Sequence, residues 1–237
     1  MPLLISIDLE SKAVVVVVMM FAWFLQLGLH EGGHAMTAHW LGDPLPRMMG
    51  KVTFNPFKII DWRDINYVIS AVILPIVTIL AWGFPMGAAW VWTGRYNTLH
   101  NAKVAIAGPI GSLAAALLGL GVWLAVYPLL HHAGDALVGL VSLTCFAVVL
   151  VGLVTFVLNL FPIPPLDGSE VLYHYLPPGG RQFMDAIRPY GFFIFIGIFW
   201  ILPRVTNGRV DIFGLVFNPL FTRTMQFMAE APVKIWG

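Results

Sequence analysis

Residues 13–34 read AVVVVVMMFAWFLQLGLHEGGH, an apolar run that ends in a short polar motif. In the run from Ala13 to Leu29, Gln26 is the only polar side chain, and about 20 apolar residues suffice for a helix to cross a bilayer. On such a helix His30 and His34 lie one turn apart on the same face. The stretch therefore predicts a transmembrane helix that carries an aligned pair of histidines at its end.

The motif at residues 30–34, HEGGH, has the spacing with which a helix offers two imidazoles to a zinc ion. Glu31, beside the first histidine, is the expected general base toward water. A catalytic zinc usually takes three protein ligands. Asp167 is the candidate third ligand, because a carboxylate in a Pro-broken segment just after the apolar run 136–161 is costly unless paired or metal-bound. An ordinary aspartate at a helix end is the alternative that the spacing leaves open.

The composition places the chain in a membrane. Of its 237 residues, 59% are hydrophobic and 11% are charged, whereas soluble domains carry roughly 25% charged residues. A net charge of +1 excludes the strongly basic surface that nucleic-acid binding needs. We therefore expect one membrane-embedded domain over residues 1–237, with its core at about 12–176 and C-terminal helices at about 189–228.

The hydropathy pattern predicts an all-α polytopic membrane protein. Its core is three transmembrane helices with flanking helices, and the three lie at about 12–41, 104–130 and 136–161. The polar region after the first helix favours a short β element within 45–60, at Val52 to Phe54.

Residues 67–84 form a shorter apolar segment with Pro75 in its middle. Because proline breaks the hydrogen bonding of a helix, we expect this segment to be re-entrant, with irregular backbone buried by protein. A full crossing would place the histidine pair and Asp167 on opposite faces of the membrane, which the metal chemistry disfavours.

The distribution of lysine and arginine predicts the orientation. With the loop after the histidine motif inside, eight basic residues lie inside and five outside, which favours an active site toward the cytoplasm. The inside set is Arg47, Lys51, Lys58, Arg63, Arg95, Lys103, Arg181 and Arg188, and the outside set is Lys12, Arg204, Arg209, Arg223 and Lys234.

Two motifs carry a resemblance to a known family. Besides HEGGH, residues 159–168 read NLFPIPPLDG, which closely resembles the Asn-x-x-Pro-x-Pro-x-Leu-Asp-Gly segment of the site-2 proteases, the intramembrane zinc metalloproteases. Residues 41–44 (LGDP) and 51–61 (KVTFNPFKIID) resemble the compact branch of that family without PDZ domains. The resemblance covers roughly residues 15–176.

The resemblance implies roles for particular residues. Asp167 becomes the third ligand to one Zn²⁺ per chain, and the amide of Asn159 steadies the tetrahedral intermediate or the substrate carbonyl. The family also has an Ala-Gly-Pro-x-x-Asn segment, in which Ser112 of this chain replaces the asparagine. Ser112 is therefore a candidate for substrate handling with a shorter reach.

The implied function is hydrolysis of peptide bonds in or near transmembrane segments of other membrane proteins, that is, regulated intramembrane proteolysis in a prokaryotic cell membrane. The partners are then a transmembrane substrate and the lipid bilayer. A substrate helix must unwind first, and the region 45–66 or the re-entrant segment can bind the unwound strand by edge pairing. Two alternatives are a membrane zinc transporter, which does not need Glu31, and a catalytically silent scaffold of the same fold.

Overall fold

The computed structural model describes residues 12–132 and 134–236, so residues 1–11, 133 and 237 of the predicted domain lie outside the described part. That part is helical throughout its regular structure, which confirms the all-α class. The main helices are α1 (Lys12–Trp40), α2 (Ile65–Trp82), α3 (Thr98–Val126), α4 (Asp135–Asn159), α5 (Asp167–Tyr175), α6 (Pro178–Val205) and α7 (Ile212–Trp236). Shorter helical turns lie at Leu45–Met48, Pro56–Ile59 and Tyr127–His132.

Among the described residues, five helices are long and apolar enough to cross a membrane, namely α1, α2, α3 with the turn that follows it, α4 and α6. The protein is therefore a multi-pass membrane protein. The C-terminal helices reach beyond the predicted range 189–228, since α6 begins at Pro178 and α7 ends at Trp236. Helix α7 packs on the bundle through Phe217, which is buried with Leu150 and Val154 of α4.

Helices α1, α3 and α4 form the central bundle, and small residues let them approach closely. A Cβ atom on Gly111 of α3 would overlap the carbonyl of Leu29 in α1. A Cβ atom on Gly152 of α4 would stand 2.8 Å from the carbonyl oxygen of Ser112 in α3. Both glycines are therefore required by close backbone contact, and the bundle brings the end of the apolar run in α1 against the middle of α3.

The chain between α2 and α3, residues 83–97, runs back along α2, and we call it the returning segment. Met86 donates its N–H to the hydroxyl of Thr78 (2.8 Å), and the ring of Trp90 packs on Tyr67 at the start of α2, with the ring centroids 4.3 Å apart. After leaving α2 at Trp82, the chain thus comes back to the start of that helix. Helix α2 is itself long and apolar enough to cross a membrane, so the re-entrant topology expected for residues 67–84 stays a prediction.

The break that the sequence predicts at Pro75 is wrong, because α2 continues through it. A π-helical turn at Ile69–Ile73 lies just before the proline. Proline cannot donate to the carbonyl four residues earlier, which belongs to Ala71. The indole N–H of Trp23 in α1 donates to that carbonyl instead (2.8 Å). The helix therefore continues because a neighbouring helix supplies the missing donor.

The β element predicted within 45–60 does not form in the described structure. The hydroxyl of Thr53 accepts the N–H of Asn55 (3.1 Å), and the side chain of Asn55 caps the next helical turn by accepting the N–H of Phe57 (3.0 Å). These local bonds turn the chain where a strand would have to continue. The segment instead packs on α1, where a Cβ atom on Gly32 would stand 2.7 Å from the carbonyl oxygen of Thr53.

Candidate metal centre

Three side chains from distant parts of the chain converge where α1, α3 and α5 meet. The Nε2 atoms of His30 and His34, one turn apart on α1, are 3.2 Å apart. Asp167, the first residue of α5, places Oδ2 at 3.2 Å from Nε2 of His30 and Oδ1 at 3.4 Å from Nε2 of His34. The two histidines and Asp167, which the sequence predicts as one set, thus bring two imidazole nitrogens and both oxygens of one carboxylate together, and we call these three residues the ligand triangle.

The triangle has the dimensions of a zinc site. Two ligand atoms bound at about 2.0–2.1 Å to a tetrahedral zinc are separated by about 3.3 Å, close to each of the three distances. The Oδ2 atom of Asp167 is buried and has no hydrogen-bond partner. A buried oxygen without a donor is costly, and a metal ion would satisfy it. The residues present therefore fit a zinc ion.

The orientation of His34 is set by the backbone of α3. Its Nδ1 lies 2.7 Å from the carbonyl oxygen of Val104. Because a carbonyl only accepts, Nδ1 carries the proton and Nε2 keeps its lone pair toward the triangle. This is the tautomer that a metal ligand requires.

Gly108 of α3 lies against the metal-facing Nε2 atoms of the two imidazoles. A Cβ atom there would overlap the ring of His34 and stand 2.8 Å from Nε2 of His30. Any larger residue at this position would displace the ligands. Gly108 is a residue whose importance the sequence alone did not single out.

Burial and nearby charge both shift the pKa of Asp167, whose side chain is 20% exposed. Burial alone would raise the pKa of this carboxyl, but when the two facing imidazoles are doubly protonated, the charge of His34 and the N–H groups of both rings lower it below its ordinary value. The carboxyl is therefore held as a carboxylate, the form that binds a metal.

Glu31 lies at the edge of the triangle. Its Oε1 atom is 4.0 Å from Nε2 of His30, and its side chain is 8% exposed. Because it is adjacent to the histidine pair and outside the triangle itself, its carboxylate is available for proton transfer next to the metal position.

Comparison with known proteins gives the family. The chain is 30% identical to "Putative zinc metalloprotease YwhC" of Bacillus subtilis, over 81% of this chain and 89% of that protein. It is 31% identical to "Putative zinc metalloprotease Rip2" of Mycolicibacterium smegmatis, over 92% of this chain and 78% of that protein. The protein of the same name from Mycobacterium tuberculosis is 30% identical over 87% of this chain and 74% of its own length.

This chain belongs to the site-2 protease family of zinc metalloproteases. The similarity extends over most of its length and of its relatives' length, so the family assignment applies to the whole bundle. No family model matches the chain. No solved structure matches it either.

Asn159, the last residue of α4, does not reach the ligand triangle in any contact of the described structure. Its side-chain amide donates to the carbonyl of Thr155 one turn earlier in the same helix (3.0 Å). A site-2 protease role for Asn159 in steadying the oxyanion therefore stays a prediction, and it requires the amide to leave Thr155.

Ser112 lies behind His30, with none of its surface exposed. Its hydroxyl oxygen is 2.8 Å from Nδ1 of His30 and accepts the side-chain N–H of Gln26 (3.1 Å). This position contacts a predicted ligand and offers no surface to a substrate. The sequence contained an indication that Gln26 belongs to the site, because it is the one polar side chain in the apolar run 13–29 and lies four residues before His30.

Proposed function

We propose that this site-2 protease is a zinc metalloendopeptidase that hydrolyses peptide bonds in or near transmembrane segments of other membrane proteins. In this proposal His30, His34 and Asp167 hold one Zn²⁺, and Glu31 is the general base. The observation that carries the proposal is the ligand triangle: the two Nε2 atoms lie 3.2 Å apart, and Asp167 places one oxygen 3.2 Å from His30 and the other 3.4 Å from His34. These separations are close to those between ligand atoms of a tetrahedral zinc site.

When bound, zinc polarises the scissile carbonyl and acidifies a water molecule to a pKa of about 7. Glu31 takes a proton from the attacking water and delivers it to the leaving amine, which requires a carboxylate within reach of the reacting atoms. The carbonyl of Val104 and the hydroxyl of Ser112 hold the two imidazole rings in place. Asn159 is the proposed donor to the oxyanion, and it would act after exchanging its bond to Thr155.

Water has to reach this site, and the polar region after α1 is the proposed route. The loop around Thr53 and Phe54 lies directly against Gly28 and Gly32, on either side of His30 along α1. This contact places a region rich in lysine and arginine next to the site. It supports an active site that opens toward the cytoplasm, the side favoured by the eight-to-five distribution of basic residues.

The returning segment after α2 is the proposed binding edge for an unwound substrate. Met86, Ala88 and Trp90 donate their N–H groups to α2, so these alternate residues face that helix. In an extended chain the backbone N–H groups of the intervening residues point the opposite way. Val91, which follows Trp90 and continues this alternation, brings its backbone to the carboxylate of Glu31. A substrate strand paired with this edge would pass the catalytic glutamate, as in β-strand addition.

A membrane zinc transporter is disfavoured. A transporter needs several polar sites along a path, whereas His30, His34 and Asp167 form the one metal-binding cluster found among the described residues. A transporter also has no use for a buried glutamate adjacent to its ligands. A silent scaffold would not need to keep Glu31 beside a complete ligand set.

The test compares the wild type with Glu31→Gln and His34→Ala, each co-expressed with candidate single-pass membrane proteins. We expect the wild type alone to cleave. Glu31→Gln keeps the shape of the side chain and removes the base, so the purified variant should retain zinc. His34→Ala should lose both zinc and activity. Equal cleavage by the wild type and Glu31→Gln would overturn the protease proposal, and zinc retained by His34→Ala would overturn the ligand set.

A further inference from the structure

Gln26 is a polar side chain buried inside a membrane-spanning helix. It lies in the apolar part of α1, is 2% exposed, and stands one turn before His30 on the same face. Its Nε2 atom donates to the hydroxyl oxygen of Ser112 (3.1 Å), and its Oε1 atom is buried without a hydrogen-bond partner. Polar groups at membrane depth are costly and generally mark function, so the contact with Ser112 needs an explanation.

Ser112 joins Gln26 to His30. A hydroxyl offers one donor and two acceptor positions. The Ser112 oxygen lies 2.8 Å from Nδ1 of His30 and 3.5 Å from the carbonyl oxygen of Gly108. When it accepts the N–H of Gln26 and the N–H of His30, its own proton points to Gly108, and all three positions are used.

We propose that Gln26 and Ser112 are positioning residues that hold the His30 ring with its proton on Nδ1 and its Nε2 lone pair directed at the metal. This inference rests on the proposed function, because it assigns the two residues to a zinc ligand. Ser112 accepts the Nδ1 proton directly, and Gln26 fixes the serine oxygen in place.

The two histidines are supported in different ways. His34 donates to the backbone carbonyl of Val104, which no side-chain substitution removes. His30 depends on a side chain, since its Nδ1 partner is the hydroxyl of Ser112. His30 is therefore the predicted ligand whose Nδ1 partner a side-chain substitution can remove.

The experiment measures zinc affinity by chelator competition in purified protein, together with the visible absorption of bound Co²⁺, which reports ligand geometry. Ser112→Ala should weaken zinc binding by about 10–100-fold, the usual effect of removing the partner of a metal-bound histidine. The Co²⁺ spectrum should change as well. A role limited to helix packing would move neither quantity in the protein that remains folded.

The matched control is Ser142→Ala. Ser142 is a buried serine of α4, 4% exposed, whose hydroxyl donates only to the carbonyl of Val138 in its own helix (2.6 Å). The substitution removes the same hydroxyl from a comparable environment in another helix of the bundle. Zinc affinity and the Co²⁺ spectrum of this variant should match those of the wild type.

Gln26→Met provides a second variant, since methionine keeps the length of the side chain and removes the amide. We expect its zinc affinity to fall between those of the wild type and Ser112→Ala. If Ser112→Ala does not fold, Gln26→Met decides, and wild-type affinity and spectrum in that variant overturn the proposal.

His34→Ala separates failure of this inference from failure of the proposed function. If His34→Ala loses zinc while folded Ser112→Ala binds it like the wild type, the positioning role is wrong and the zinc site stands. If His34→Ala retains zinc, the proposed function itself fails.

Discussion

Replacing Gly108 by alanine should remove zinc from this protein although Gly108 is not a ligand. The added Cβ atom would stand 2.8 Å from Nε2 of His30 and overlap the ring of His34. Restoring an ordinary contact of 3.4 Å requires His30 to move by about 0.6 Å and His34 to move further. Zinc–ligand distances tolerate about 0.2 Å, so neither histidine can then bind in the present arrangement.

The expected loss of zinc affinity in Gly108→Ala is larger than about 100-fold, the upper end of what removing a ligand's supporting residue costs. The intrinsic effect on the helix has the opposite sign, because alanine is about 1 kcal/mol better than glycine in a helix interior. A loss of zinc therefore cannot be attributed to weaker propensity of α3.

Chelator competition on purified Gly108→Ala, with cleavage of a membrane substrate as a second readout, tests this expectation. Gly121→Ala is the matched control, because Gly121 lies in the same helix and a Cβ atom there meets nothing within 4 Å. The control should bind zinc like the wild type. Zinc affinity in Gly108→Ala equal to that of Gly121→Ala would refute the close apposition of α3 and the histidine pair.

Three further predictions concern the returning segment and the metal. Asp43→Asn should raise KM and leave the zinc content unchanged, because the buried carboxylate of Asp43 accepts the N–H of Gly94 (2.6 Å) and so anchors the end of the returning segment. Loss of zinc in this variant would contradict the prediction. Tyr67→Phe should lower the free energy of unfolding by about 1–3 kcal/mol, because the Tyr67 hydroxyl donates to the carbonyl of Trp90 and accepts its N–H, and phenylalanine can do neither. Unchanged thermal unfolding would count against these two hydrogen bonds. Removal of zinc by a chelator should abolish cleavage and lower the melting temperature. The stabilisation lost is about 2.7 kcal/mol relative to protein with free zinc at about 100 times its Kd. Equal melting curves with and without zinc would contradict the proposed metal site.

The sequence predicted the parts of this protein that depend on neighbours along the chain. Membrane insertion follows from the length and hydropathy of single segments, and the alignment of His30 with His34 follows from the period of the helix. Asp167 was a candidate from its position after an apolar run, and the family resemblance raised it to an expected ligand. Two predictions from the local sequence were wrong. The helix break expected at Pro75 is absent because Trp23 bonds the freed carbonyl, and the strand expected at Val52 to Phe54 is absent because side chains bond the backbone there.

Only the tertiary structure decided what depends on contacts between helices. It brought Asp167 to within 3.2–3.4 Å of both histidines, placed Ser112 behind His30, and let α2 continue through Pro75 because Trp23 donates to the freed carbonyl. The physical reason is that hydropathy and helical period fix which side chains share a face of one helix, while the partner of each face is set by packing between distant segments. The histidine pair was therefore readable from residues 30–34, whereas the Gln26–Ser112 support of that pair required the approach of α3 to α1.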